Sequence, residues 1–134
     1  MARVRARFSR KGKYFIPKHI FMLVYHYCLN YSDWKAEHDT RIGLCRGSGD
    51  NSGGVGDPTA AQAIRLADLY ERIALIEQTA QEVEPSLHPW LLRYVTTEAL
   101  TFDRLKAEGM PCERKMFYDR RRKFYWLMSQ RLKL

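Results

Sequence analysis

Long hydrophobic runs are missing from this 134-residue chain. Its most apolar stretch, residues 20–29, contains His26 and is about half as long as a membrane-spanning helix needs to be. Pro17, Lys18 and His19 break the entry to that stretch, and no small-residue cleavage site follows, so a signal peptide is not expected either. A soluble cytoplasmic protein with no membrane partner is the expectation. Cysteine is scarce. Cys28, Cys45 and Cys112 are odd in number, widely spaced and without a CxxC pair, which argues against a disulfide scaffold and a zinc finger and fits free thiols. The four histidines are scattered. His19 and His26 share a predicted helix, but no third ligand accompanies them, so no metal is expected. Glu37, His38 and Asp39 are adjacent, and adjacent helix positions point in different directions, so they read as a solvated helix end. There is no nucleophile elbow and no Gly-Lys-Ser/Thr loop. Neither an enzyme nor a cofactor is expected.

Charge is abundant and unevenly placed. The net charge is +8, from 23 Lys/Arg and 15 Asp/Glu. Residues 1–18 hold seven basic groups and no acid, the last twenty-three residues hold eight basic groups and two acids, and the middle is net acidic. Both ends therefore seek a polyanion, although charge alone does not separate DNA from RNA or an anionic surface.

The hydrophobic spacing predicts an all-α protein: a small helical bundle in three parts. Residues 1–46 are a basic arm, reaching to Tyr14, and an N-terminal helix from Pro17 to about Arg41. Ile20, Val24, Tyr27, Tyr31 and Trp34 recur on one face of that helix. Residues 47–56 are a linker within the string RGSGDNSGGVG, which holds five of the eight glycines and reads as a flexible tether. Residues 57–134 are a helical domain. Asp57-Pro58 supplies an N-cap acid and a proline at the first helical position, and Pro85 ends the helix they open. Within it Leu66, Leu69, Ile73, Ile76, Ala80 and Val83 keep a 3-4-3-4-3 spacing, with Arg72 and Glu77 at flanking heptad positions. The stripe suits a homodimeric coiled coil, or equally a seam against the helix of residues 17–41. Ile64 and Leu75, on the opposite side, suggest a second buried contact.

A further short helix is expected from Pro89 to about Tyr94, then a segment over residues 97–108, and Gly109 fits a tight turn requiring positive φ. With the basic aromatic segment that follows, residues 101–132 have the layout of a helix-turn-helix. On the terminal helix Met116, Phe117, Phe124, Leu127, Met128 and, at the edge, Leu132 form the predicted buried side. Lys115, Tyr118, Asp119, Arg122, Trp126 and Ser129 form the predicted outward side. Arg114, Lys115, Tyr118 and Arg122 are candidate contacts to base edges or phosphates, and Arg121 and Lys123 to the backbone. Asp119 is expected to pair with Lys115 or Arg122, or to accept from a cytosine. Arg3, Arg5 and Arg7 are candidate arm contacts in an adjacent groove. A rival reading makes the protein an interaction or assembly factor anchored by Tyr125 and Trp126. A third is single-strand binding through exposed aromatics.

The block from Gly109 to Met128, GMPCERKMFYDRRRKFYWLM, resembles the C-terminal motif of the ArpU/RinA-like late-gene regulators of phages and prophages of Gram-positive bacteria. The end of that family is similar to the sigma-factor region that reads the −35 promoter element. The Asp57-Pro58-Thr59 helix start, the heptad segment over residues 73–79 and the Lys13–Pro17 stretch resemble the same group, so the likeness spans most of the chain outside the glycine segment. Relative to the family's Gly-apolar-Ser turn, Pro111-Cys112 carries one extra residue. The resemblance implies sequence-specific binding of double-stranded DNA, activation of late genes in a bacterial host, and a partnership with host RNA polymerase. It also implies that Phe117, Phe124 and Leu127 are core and that Glu113, Arg114, Lys115, Tyr118 and Arg122 face DNA.

Overall fold

Six helices and one 3-10 turn follow one another in the computed structural model, which describes residues 12–47 and 59–134. They are α1 (Lys18–Leu29), α2 (Tyr31–Gly47), α3 (Thr59–Val83), a 3-10 turn (Pro85–Leu87), α4 (His88–Thr96), α5 (Phe102–Ala107) and α6 (Arg114–Arg131). No strand occurs among the described residues, and the chain is all-α. The Asp57-Pro58 helix start, Arg3, Arg5, Arg7 and the glycine segment beyond Gly47 lie outside the described residues.

The single helix expected between Pro17 and Arg41 is two. Asn30 separates them: its N–H reaches the Tyr27 carbonyl (3.2 Å), and its side-chain amide donates to the His26 carbonyl (2.9 Å). An asparagine that satisfies the preceding turn in this way interrupts the ladder where hydrophobic spacing alone runs straight through. The second helix also passes Arg41 and takes in Gly47, the first residue of the expected linker.

Helix α2 lies antiparallel on α3. Tyr31 and Lys35 both donate to Glu77, the Arg72 guanidinium sits 5.3 Å from the Trp34 ring, and Arg65 grips Glu37 through two nitrogens. Leu69, Ile73, Ile76, Ala80 and Val83 are all buried within this chain, with Leu66 half-buried. The stripe is therefore a seam of the chain's own fold. The dimer reading of Leu66, Leu69, Ile73, Ile76, Ala80 and Val83 fails on that burial, and Arg72 and Glu77 are already engaged by α2. Of the two positions expected to make a second contact, Leu75 packs on the core but Ile64 is 63% exposed.

The core is assembled from both sides of the glycine segment. Ile16, Phe21, Val24 and Cys28 pack with Ile76, Ala80, Leu91 and Val95, and with Phe117, Phe124, Tyr125 and Met128 of α6. Helix α6 is central: α1 crosses it through Phe21 against Tyr125 (4.8 Å, edge-on), and α3 runs beside it. Helix α5 ends as a Schellman motif. The Gly109 N–H bonds to the Lys106 carbonyl and the Met110 N–H to the Leu105 carbonyl, with Gly109 at φ 107° and Leu105 and Met110 both buried. Thr101 begins α5, its hydroxyl accepting from the Arg104 N–H. The helix order over 101–132 is thus helix, turn, helix.

Candidate nucleic-acid interface

The buried side of α6 is formed by Phe117, Phe124, Tyr125, Met128 and Ser129, at spacings of seven, one, three and one. This face is rotated from the one predicted. Met116 is 39% exposed, and Leu127 and Leu132 are only half-buried. Tyr125 and Ser129 take their place: Tyr125 packs its ring on Phe21 and Phe124, and the Ser129 hydroxyl donates to the Trp126 carbonyl (2.6 Å). Desolvation pushes the Tyr125 hydroxyl well above its ordinary pKa, so it stays neutral. The two aromatics that looked outward also have intramolecular partners. Tyr118 contacts Phe102 and Phe117, and the Trp126 ring lies 5.4 Å from Tyr14.

The cations of α6 divide into two sets. Arg114 pairs with Asp103 (2.6 Å) and lies 4.8 Å from the Phe102 ring. Arg120 bridges Glu84 (2.9 Å) and Asp119 (2.7 Å), its guanidinium holding the Glu84 carboxyl below the usual carboxylate range. Arg131 bonds the Thr79 hydroxyl and pairs with Glu82. Arg121 donates to the Tyr94 hydroxyl (2.9 Å) and stacks 4.8 Å from the Tyr118 ring, with its Nε buried. It faces inward and belongs to the packing, not to an outer backbone-anchoring row. Lys115, Arg122 and Lys123 form the second set, with no hydrogen bond, ion pair or ring contact among the described residues. At 100° per residue they lie on the side of α6 opposite Phe117 and Met128.

The expected partnership of Asp119 with Lys115 or Arg122 is replaced by one with Arg120. That leaves Lys115 and Arg122 without a neutralising acid among the described residues. Glu113 is the residue before the first turn of α6, exposed and making no side-chain cap. A surface depression of about 740 Å³ brings together Glu113, Arg114, Lys115, Tyr118 and Arg122, five of the residues predicted to face DNA. Arg121 and Lys123 do not line it.

The root of the N-terminal arm meets this helix. The Phe15 N–H bonds to the Gly12 carbonyl (3.2 Å), Ile16 is buried in the core, and Tyr14 leans on Trp126. Arg122 and Lys123 precede Trp126 by four and three residues, so they are its neighbours along the helix surface. Tyr14 was hidden in the sequence by the basic residues around it. The available signal is the apolar run Tyr14-Phe15-Ile16-Pro17, which ends the charged arm abruptly.

Elsewhere the residues with chemical potential are engaged in structure. Glu37 accepts from Arg41 (2.7 Å) and Arg65 (2.8 Å), which together lower its pKa to about 2, so it is no acid–base group. His19 and His26 are exposed on α1, and no group of three His, Cys, Asp or Glu that could hold a metal ion occurs among the described residues. No described helix is long and apolar enough to cross a membrane. No family model, no curated protein and no solved structure matches this chain.

Proposed function

We propose that this chain binds double-stranded DNA through the outward side of α6 and regulates transcription. The observation that carries this reading is the state of three cations. Lys115, Arg122 and Lys123 have no partner among the described residues, while Arg114, Arg120, Arg121 and Arg131 of the same helix are each tied to an acid, a hydroxyl or a ring. Unpaired like charges on a rigid rod repel one another and gain most from a polyanion. Lys115 and Arg122, beside Tyr118 in the depression near the start of α6, are the residues for base edges; Lys123 is a backbone contact. Regulation of phage or prophage late genes, a role as activator and a partnership with host RNA polymerase rest on the family resemblance of the terminal block.

The interaction-factor alternative is weakened, because Tyr125 is 2% exposed and the half-buried Trp126 packs at a tilt against Tyr14. Single-strand binding through free aromatics is weakened on the same ground. Mobility shift of a promoter-proximal duplex tests the proposal. Lys115→Ala combined with Arg122→Ala should abolish the shift and flatten the dependence of log K on log salt by about two, at roughly 0.9 per lost phosphate contact. Arg114→Ala should weaken binding less, since Asp103 already occupies that guanidinium. Unchanged binding and slope in the double variant would sink the reading.

A further inference from the structure

We infer that Met116 is a specificity-determining residue of α6, and that the depression it shares with Lys115 and Arg122 takes the major-groove edge of a thymine. The thymine methyl group meets the Met116 thioether and its O4 oxygen accepts from a cation. The inference rests on the DNA-binding reading above and deepens it from a duplex to a base.

Hydrophobic spacing puts Met116 on the buried side of α6, yet it is 39% exposed. A single exposed apolar side chain is ordinary on a protein surface. Met116 is distinguished by its position, because it lines the depression of about 740 Å³ together with Lys115, Tyr118 and Arg122. Lys115 and Met116 leave the helix about 100° apart, but both border this one space.

The other charged groups along that wall are engaged. Asp119 and Arg120, three and four residues beyond Met116 and so its neighbours on the helix surface, pair with each other at 2.7 Å, and Arg120 also holds Glu84 at 2.9 Å. Arg114 pairs with Asp103 at 2.6 Å. Lys115 and Arg122 have no partner among the described residues. An incoming group therefore finds hydrogen-bond donors on two cations beside one apolar side chain. Glu113, exposed and making no side-chain cap, adds an acceptor at the same depression.

That combination selects among the bases. In the major groove guanine shows two acceptors and nothing apolar, cytosine a donor, and adenine an acceptor beside a donor. Thymine alone shows an acceptor next to a methyl group, and the adenine paired with it turns an amino donor toward an acceptor such as Glu113. Methionine is unbranched and polarizable, so its end adapts to a methyl group without a preformed socket.

The test uses the full chain. A random-sequence duplex pool is enriched for binding by the unaltered chain, and the enriched duplex is then made with deoxyuridine replacing thymine at each position in turn. Uracil pairs as thymine does but lacks the methyl group. At one position the replacement should weaken binding about fourfold, the worth of one buried methyl group. Met116→Ala should lose about as much on the thymine duplex and nothing further on the deoxyuridine duplex, the non-additivity of two groups in contact. Met116→Leu, apolar and of similar volume, should keep the discrimination. The slope of log K against log salt should not change in any of these, since no phosphate contact is lost. Deoxyuridine without effect at every position would refute the inference, and so would a loss in Met116→Ala that is equal on the two duplexes. In both cases the DNA-binding reading stands if Lys115→Ala with Arg122→Ala still abolishes the mobility shift. If the unaltered chain binds no duplex, both are refuted; if it binds but enriches no sequence, the thymine contact is refuted and only binding to the backbone remains.

Discussion

Arg114 and Lys115 are neighbours in sequence and opposite in state. The first is tied to Asp103 and stacked near Phe102, whereas the second is exposed and has no partner among the described residues. Exposed pairs of this kind contribute at most about 1 kcal/mol, so under the DNA binding proposed above Asp103 would act on Arg114 as a weak competitor for a phosphate. Asp103→Asn should therefore raise affinity for a duplex about two- to fivefold with no loss of thermal stability; weaker binding by the variant in a mobility shift would show that the pair organises the site. Glu37 differs because two guanidinium groups hold it. Its folded pKa is lowered from 4.5 to about 2, chiefly by hydrogen bonds from Arg65 and Arg41. A carboxylate depressed in the folded state stabilises the protein above its unfolded pKa, and that contribution is lost as pH falls through the folded value. The thermal midpoint of Glu37→Gln should lie below that of the unaltered chain at pH 7, and the gap should narrow below pH 4.5 and close near pH 2. A gap that stays constant down to pH 3 would mean that Glu37 acts through packing or shape instead; added salt should shrink it at neutral pH, since the pair is solvent-accessible.

At the scale of the helices, the turn before α6 is the element on which the site's geometry depends. Gly109 has φ 107°, a conformation that costs a residue with a side chain about 1–3 kcal/mol. A Cβ there would meet no atom within 4 Å, so the penalty in Gly109→Ala is one of backbone conformation and not of collision. Chemical denaturation should register a loss of about 1–3 kcal/mol with an unchanged m-value, and a neutral result would refute the role of this turn. This turn was legible in the sequence, as were the all-α class, the end of α3 shortly before Pro85 and the burial of Phe117, Phe124 and Met128. What was not legible has identifiable physical causes. The rotation of α6 depends on polar atoms of Tyr125 and Ser129 being accommodated inside, which hydrophobic spacing counts against them. The break at Asn30 depends on where one side-chain amide points. Ala99 adopts φ 65° ahead of α5, and nothing in its residue type announces that. Of the residues proposed from sequence for the DNA face, Lys115, Tyr118 and Arg122 share one depression, whereas Arg121 turned inward because Tyr94 and Tyr118 offer its guanidinium a hydroxyl and a ring.

For the molecule as a whole, a repeat of apolar residues states that a partner helix exists but not whose it is. The heptad stripe of α3 would serve a second chain as well as it serves α2, and only the companion contacts decide: Trp34 beneath Arg72, and Tyr31 with Lys35 on Glu77, close the seam from within. The same closure joins segments on either side of the glycine-rich stretch into one core, from Ile16 and Phe21 to Phe124 and Met128. Two consequences separate this arrangement from a coiled-coil dimer. Truncating a buried residue at the seam should cost what a core residue costs, and the cost should not depend on how much protein is present. Ile76 has no exposed surface, so Ile76→Ala should lower the unfolding free energy by about 2–5 kcal/mol. The thermal midpoints of both the parent chain and the variant should be the same at about 1 and about 100 µM, because only association makes a midpoint depend on concentration. A midpoint that climbs with concentration in the parent chain, and climbs less in the variant, would return the α3 stripe to an interface between two copies.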